Sequence, residues 1–333
     1  MTSASKIEWT GHTWNPIVGC TILSPGCTNC YAMKDACRKG FNPKVPHYHG
    51  LTKLVNGHPV WTGDLHQAPE SVLLAPLKRK KPTTYFVNSM SDLFHESIPD
   101  EWIDKIFAVM ALCPQHTFQV LTKRAGRMRS YVENARRRVI KNGNSVEIHT
   151  PKAYHASTVV GGEKLWPLPN VWLGVSAERQ KEADERVPHL LRTPAAVRFI
   201  SAEPLLNPID LRGYMKWLTR PGNAIDWVIV GGESGLRARP MHPDWARSLR
   251  DQCSRAGVAF FFKQWGSWLP LEEDASTWGR EWFLISRDGV DDIPDGRVPM
   301  YDEGEYAARR VGKKNAGRLL DGIEHNAMPE ALT

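Results

Sequence analysis

The stretch WVIVGGESGLRARPMHPDWARSLRDQCSRAGVAFFFKQW, residues 227–265, decides the fold. Trp227–Val230 is a continuous apolar run that stops abruptly at Gly231-Gly232-Glu233-Ser234. Pro243-Asp244 then opens a helix, with proline early and an acid in the first turn where the helix dipole favours it. Trp245, Leu249 and Cys253 recur at i, i+4 and i+8 and give that helix one apolar face, and Gly257 ends it. A second run, Val258–Phe262, follows and ends in Lys263-Gln264-Trp265. Both runs are apolar throughout rather than alternating. That pattern marks parallel strands buried on both faces, joined by a crossover helix.

The unit repeats along the chain. Thr84–Asn88, Thr117–Leu121, Val171–Val175 and Val197–Ile200 are runs of the same kind, with a further strand expected near Thr13–Val18. Pro99-Asp100-Glu101 opens another helix, whose stripe is Trp102, Ile103, Ile106, Phe107 and Met110 and whose stop is Pro114. Strand and helix in alternation predict an α/β fold, a partial or complete (β/α) barrel. The barrel is expected over 1–267, with a basic insertion near 125–169, and residues 268–333 as a C-terminal extension packed on the barrel.

In such barrels chemistry sits at the C-terminal strand ends. Here those ends read Ser89-Met90-Ser91-Asp92, Thr122-Lys123-Arg124, Ser176-Ala177-Glu178, Ser201-Ala202-Glu203, Gly231-Gly232-Glu233-Ser234 and Lys263-Gln264-Trp265. Strands merely turning into loops would explain their polarity. That reading explains less well why acids and bases recur at the junction itself.

The 333 residues are 41% hydrophobic and 24% charged, which excludes intrinsic disorder and collagen-like chains. No apolar run reaches the roughly 18 residues of a membrane helix, and Met1–Gly11 has no signal-peptide core, so no membrane partner and a cytoplasmic location are expected. The net charge of +7 favours anionic partners. The excess gathers in Lys78–Lys81 and in Lys123, Arg124, Arg127, Arg129, Arg136, Arg137 and Arg138, against the single acid Glu133. A solvated helix face is the bland alternative for the second cluster.

Three of the six cysteines crowd into eleven residues, as Cys20, Cys27 and Cys30, with Pro25-Gly26 between them as a turn. Cys113 and Cys253 sit in apolar helical patterns and read as core. A disulfide framework fits a chain of this size and compartment poorly. The loop reads as a metal site. One possibility is zinc, completed by Cys37, His47 or His49. The other is a [4Fe–4S] cluster with one iron left open by the missing fourth cysteine.

Further strings bear on that choice: Ile7-Glu8-Trp9-Thr10, Thr13-Trp14-Asn15-Pro16, Gly19-Cys20 through Cys30-Tyr31-Ala32, Ser89–His95, Leu121–Arg124, Val171–Ser176, Ser201–Leu205, Val230–Gly235, Phe262–Gly266 and Lys313–Gly322. Together they resemble the three-Cys-motif family of phage and bacterial proteins, which is similar to radical S-adenosylmethionine (SAM) enzymes. The resemblance implies a partial barrel of radical SAM type and a [4Fe–4S] cluster on Cys20, Cys27 and Cys30. The open iron would chelate SAM, and an electron donor would drive its cleavage to methionine and a 5′-deoxyadenosyl radical that takes a substrate hydrogen. The spacing here is C-x6-C-x2-C, against the usual C-x3-C-x2-C. Asn29 stands where an aromatic residue is usual, and Gly231-Gly232-Glu233 follows a later strand than the usual Gly-Gly-Glu.

The SAM-contacting candidates are Ser89, Asp92, Ser176, Glu178, Glu203, Gly231 and Gly232, and the catalytic candidates are Lys263, Gln264 and Glu233. The substrate expected is a nucleic acid, DNA before RNA, with Lys123, Arg124, Arg127, Arg129, Arg136, Arg137 and Arg138 on phosphates and Trp265 stacked on a base. The phage setting of the resemblance points to isomerisation of an amino-acid-substituted thymidine. The alternatives are a radical SAM enzyme on RNA or a small molecule, and a zinc-stabilised nucleic-acid-binding protein without catalysis.

Overall fold

The computed structural model describes residues 3–5, 7–141, 146–147, 157–158, 166–215, 224–271, 282–286, 290–291 and 306–329, with only the backbone described at 3, 136–141, 146–147, 157–158, 282–284 and 290–291. A short strand, β1 (Ser3–Ala4), pairs antiparallel with β2 (His12–Trp14). From β2 onward seven strands run parallel in chain order: β3 (Thr84–Val87), β4 (Thr117–Thr122), β5 (Val171–Ser176), β6 (Val197–Ala202), β7 (Trp227–Gly231) and β8 (Ala259–Gln264) complete the set. The sheet curls into a half-barrel. All six expected runs form strands. The expected Thr13–Val18 element divides, because Ile17–Val18 leaves the sheet to pair with His66–Gln67.

Period-two geometry explains the unbroken apolar runs. Val197, Phe199, Trp227 and Ile229 face the concave side. Ile200, Ala202, Val228 and Val230 face the convex side, under the helices. Four helices cover that face: α2 (Asp100–Ala111), α3 (Ala125–Lys141), α4 (Gln180–Arg192) and α5 (Pro243–Ala256), while α1 (Tyr31–Gly40) follows the cysteine loop. In α5 the His242 ring accepts from the Asp244 amide at 3.0 Å, and Gly257 closes the helix at φ 64°. On the concave side an aromatic layer plugs the half-barrel. Trp9 lies 4.8 Å from Phe86, 6.4 Å from Phe199 and 6.1 Å from Trp227, centroid to centroid.

One expectation needs correction. The basic stretch from residue 125 is the regular crossover helix α3 between β4 and β5 rather than the start of an insertion. Its stripe of Ala125, Met128, Tyr131, Val132 and Ala135 is core. Of the polar remainder, two short strands, Val146–Glu147 and Ser157–Thr158, pair antiparallel, and most of the rest lies outside the described residues.

The extension carries a small antiparallel sheet of β9 (Trp268–Pro270), β10 (Trp282–Ile285), β11 (Val290–Asp291) and β12 (Tyr306–Arg310). It then returns along β8: the Phe262 amide donates to the His325 carbonyl at 2.9 Å and the Trp265 amide to the Gly317 carbonyl at 3.2 Å. The outer edge of the parallel sheet is thereby capped. Among the described residues no helix is long and apolar enough to cross a membrane.

Candidate metal centre

The cysteine loop joins the first parallel strand to α1 and folds over the C-terminal rim of the sheet. Pro25–Cys27 forms a single 3₁₀ turn, and the Cys27, Thr28 and Cys30 amides donate to the carbonyls of Ser24, Pro25 and Cys27. Proline fixes the turn. Gly26 is required because a Cβ there would lie 2.3 Å from the Glu178 carboxylate. Cys20, Cys27 and Cys30 are all free thiols and line one cavity, together with Asp92, Lys123 and Ser176. Cys37 lies on α1 away from this lining, while Cys113 and Cys253 are buried in the core.

The loop is tied to three strand ends. Beyond β4, Arg124 donates to Thr21 Oγ1 at 2.6 Å and approaches Cys20 Sγ at 4.0 Å, while its guanidinium is paired with Asp92 at 3.1 Å and Glu96 at 2.7 Å. Thr21 Oγ1 also lies 2.9 Å from His95 Nε2. Beyond β5, Glu178 is fully buried and accepts from Ser24 Oγ at 2.8 Å, from Lys123 Nζ and from Arg186 at 3.0 Å. Beyond β7, Glu233 accepts from Asn29 Nδ2 at 3.0 Å and from Arg239, whose guanidinium also donates to the Pro25 carbonyl at 3.0 Å.

Burial pushes the Cys20 thiol up to about 12, with Asp92 adding to the shift and Arg124 opposing it. Burial also raises Cys30, against backbone hydrogen bonds from α1 and the Lys123 charge. Thiols held protonated in this way give up their protons to a bound cation, because thiolate ligation supplies the charge that burial otherwise disfavours. Three soft sulfur donors suit zinc or an iron–sulfur cluster. Among the described residues, no three His, Cys, Asp or Glu are grouped to hold a single metal ion.

A second cavity adjoins the first and shares Cys30, Lys123 and Ser176 with it. Trp9 and Phe86 lie on its aromatic side, and Ser201, Glu203, Lys263 and Gln264 line it as well. Glu203 pairs with Lys263 Nζ at 2.8 Å and accepts from Trp9 Nε1 and Ser201 Oγ, each at 3.2 Å. Gln264 donates to the Gly232 carbonyl at 3.0 Å, and its Oε1 is buried with no hydrogen-bond partner.

The structure therefore sorts the sequence candidates. Ser176, Glu203, Lys263 and Gln264 converge on the second cavity. Ser89 binds Asn15 Oδ1 at 3.1 Å and lines the first. Gly232 and Glu233 line the second cavity as well, and Asp92 the first. Asp92 is spent on Thr122, on the Lys123 and Phe94 amides and on Arg124, so it braces the rim. Glu178 and Glu233 hold the cysteine loop. Gly232 is glycine because a Cβ would sit 2.0 Å from the Trp265 carbonyl oxygen, and at Gly231 it would sit 2.8 Å from Glu203.

Trp265 is core: it is 6% exposed, packs edge-on to Phe262 and donates to the Leu319 carbonyl, so it is not free to stack on a base. Lys123 and Arg124 are tied up in internal ion pairs. Arg127 pairs with Asp100, and Arg129 with Glu133. The side chains of Arg136, Arg137 and Arg138 lie outside the described residues. Ser24, Asn29, Arg186 and Arg239 were missed. Asn29 had a signal, since it stands where the resemblance expects an aromatic residue.

Fold and site together define an α/β half-barrel protein with a three-cysteine loop at the C-terminal rim of its parallel sheet. The chain belongs to the family described as "protein of unknown function (DUF5131)", whose model matches residues 4–329. No curated protein and no solved structure matches it.

Proposed function

We propose that the chain is a radical SAM enzyme of the three-Cys-motif kind, with Cys20, Cys27 and Cys30 holding a [4Fe–4S] cluster. The observation that carries this reading is the placement of three free thiols in one cavity at the C-terminal rim of a parallel half-barrel, adjoining a second cavity that Glu203, Lys263 and Gln264 line beside aromatic side chains. The donor set fits: three thiols leave a cluster one open iron. Such a cluster, when bound and reduced by an electron donor, supplies the electron that cleaves SAM and so permits removal of an unactivated hydrogen. The chain's residues bind and orient. Lys263 and Glu203 are paired with each other at 2.8 Å and would part to meet the carboxylate and ammonium of an amino-acid group. Gln264 Oε1 offers an unused acceptor to an N–H. Trp9 and Phe86 give the cavity an aromatic surface that also keeps water out.

We take the substrate to be a nucleic-acid base, DNA before RNA, specifically a thymidine bearing an amino-acid substituent that the enzyme isomerises in the cytoplasm of the cell or of a phage's host. An aromatic surface beside a paired Lys and Glu suits a base joined to an amino acid, and the +7 charge suits its polymer. The test is anaerobic purification with iron and sulfide assay, then incubation with reductant and SAM. About four irons per chain and release of 5′-deoxyadenosine are expected. Stoichiometric zinc without labile sulfide would overturn the reading.

A further inference from the structure

The x6 spacer between Cys20 and Cys27 has a use in this fold. It contains Thr21, Ser24, Pro25 and Gly26, and each of these meets a strand-end side chain. We infer that the loop is set for metal by three clamps, one beside each cysteine, and that Ser24, Asn29, Glu178 and Glu233 are positioning residues for the metal. The inference rests on the metal reading of the cysteines above.

The clamp beside Cys20 is Arg124 on Thr21. The clamp that reaches Cys27 is Glu178 on Ser24, whose carbonyl accepts from the Cys27 amide at 2.8 Å and whose Oγ lies 3.9 Å from Cys27 Sγ. Beside Cys30 the clamp is Glu233 on Asn29, reinforced by Arg237, whose carbonyl accepts from Asn29 Nδ2 at 2.8 Å, and by Arg239 on the Pro25 carbonyl. Both carboxylates are buried, and their donors are protein groups. Glu233 also lines the second cavity, and its carboxylate already accepts from Asn29 and Arg239. The residue in the usual aromatic position is Asn29 because its amide must donate to two acceptors, which no aromatic side chain can do. Outer groups that hold metal ligands in place are worth about 10- to 100-fold in metal retention.

Glu178 lies between two cations, so its replacement risks the fold. Ser24→Ala and Asn29→Ala touch only the loop end of each clamp and are the informative variants. Each protein is loaded anaerobically with iron and sulfide, and loss of the visible sulfur-to-iron absorption to an excess chelator is timed. Thermal unfolding of the metal-free proteins is run alongside. Both variants are expected to lose the cluster about 10-fold or more faster than wild type, with metal-free unfolding shifted too little to account for it. Glu233→Gln keeps an acceptor for Asn29 and is expected to fall between wild type and Glu233→Ala. Wild-type release rates in both clamp variants, or a loss of metal-free stability that accounts for the faster release, overturn the inference. If wild type takes up zinc and no iron, the radical reading fails while the same comparison, timed on zinc release, still decides the clamps. If wild type retains neither metal, both fall.

Discussion

At the scale of single residues, the site turns on which carboxylates are already spent. Glu178 shows this most plainly. Burial pushes its carboxyl up, but Lys123, Arg186 and the Ser24 hydroxyl outweigh burial and hold it below the usual range. A depressed carboxyl contributes stability above its unfolded value, about 4.3, and loses it as pH falls through the lower folded value. Glu178→Gln leaves two cations without their anion, which costs about 3 kcal/mol or more for a buried pair. In urea titrations the gap between wild type and Glu178→Gln is therefore expected to be full at pH 7 and to close progressively below about pH 4. A gap that stays constant down to pH 3 would show that the ion pairs do not carry it. Much at this scale was legible. The cysteines declare themselves by spacing, and Glu203 and Lys263 by their place at strand ends. What sequence could not show is consumption by partners: nothing in Ser201-Ala202-Glu203 and Ser176-Ala177-Glu178 distinguishes a cavity carboxylate from one buried under a loop. That difference comes from Ser24, Gly26 and Arg186, which are distant in the chain or on a helix face.

Among the elements, strand parity does most of the positioning. Residues 197, 199, 201 and 203 share one side of β6 and its continuation, so Phe199 lies in the aromatic plug while Ser201 and Glu203 reach the cavity above it. The neighbouring β5 must make room for that plug. Gly174 pairs with Phe199 across the sheet, and a Cβ there would lie 2.5 Å from the Phe199 ring. Gly174→Ala is expected to cost about 1–3 kcal/mol through overpacking, read as a lower urea midpoint. Adding Phe199→Leu should recover part of that loss, whereas additive costs would place the strain elsewhere. The strands were legible because their apolar runs are long and unbroken. Helix α3 was obscured because arginines recur along its sequence, although Met128, Tyr131, Val132 and Ala135 keep a helical stripe. The strands of the extension are two to five residues long, too short for alternation to register in the sequence.

Over the whole molecule, the half-barrel is closed by its own chain: the N-terminal Trp9 segment plugs the concave face, and the C-terminal segment seals β8, with the Trp227 and Trp265 indoles donating to the Ala327 and Leu319 carbonyls. Trp227 and Trp265 are consumed by this closure, while Trp9 keeps a place in the lining of the second cavity, so the proposed nucleic-acid binding would draw on charge elsewhere. Of the basic stretch, Lys123, Arg124, Arg127 and Arg129 are neutralised by acids within the fold, and Arg136, Arg137 and Arg138 at the end of α3 remain as the candidates for phosphate. Each phosphate neutralised adds roughly 0.9 to the slope of log affinity against log salt on duplex DNA. Changing the three arginines together to Ala should therefore weaken binding to duplex DNA at low salt and reduce that slope by roughly 2 to 3. Changing Arg127 and Arg129 to Ala should leave the slope near wild type, since their charges are already answered by Asp100 and Glu133. The measurement is a fluorescence-anisotropy titration of labelled duplex across salt for the three proteins. Equal slopes for wild type and the triple variant would remove the end of α3 from the substrate surface. A larger slope change in the Arg127 and Arg129 variant would show that those ion pairs open to take up DNA.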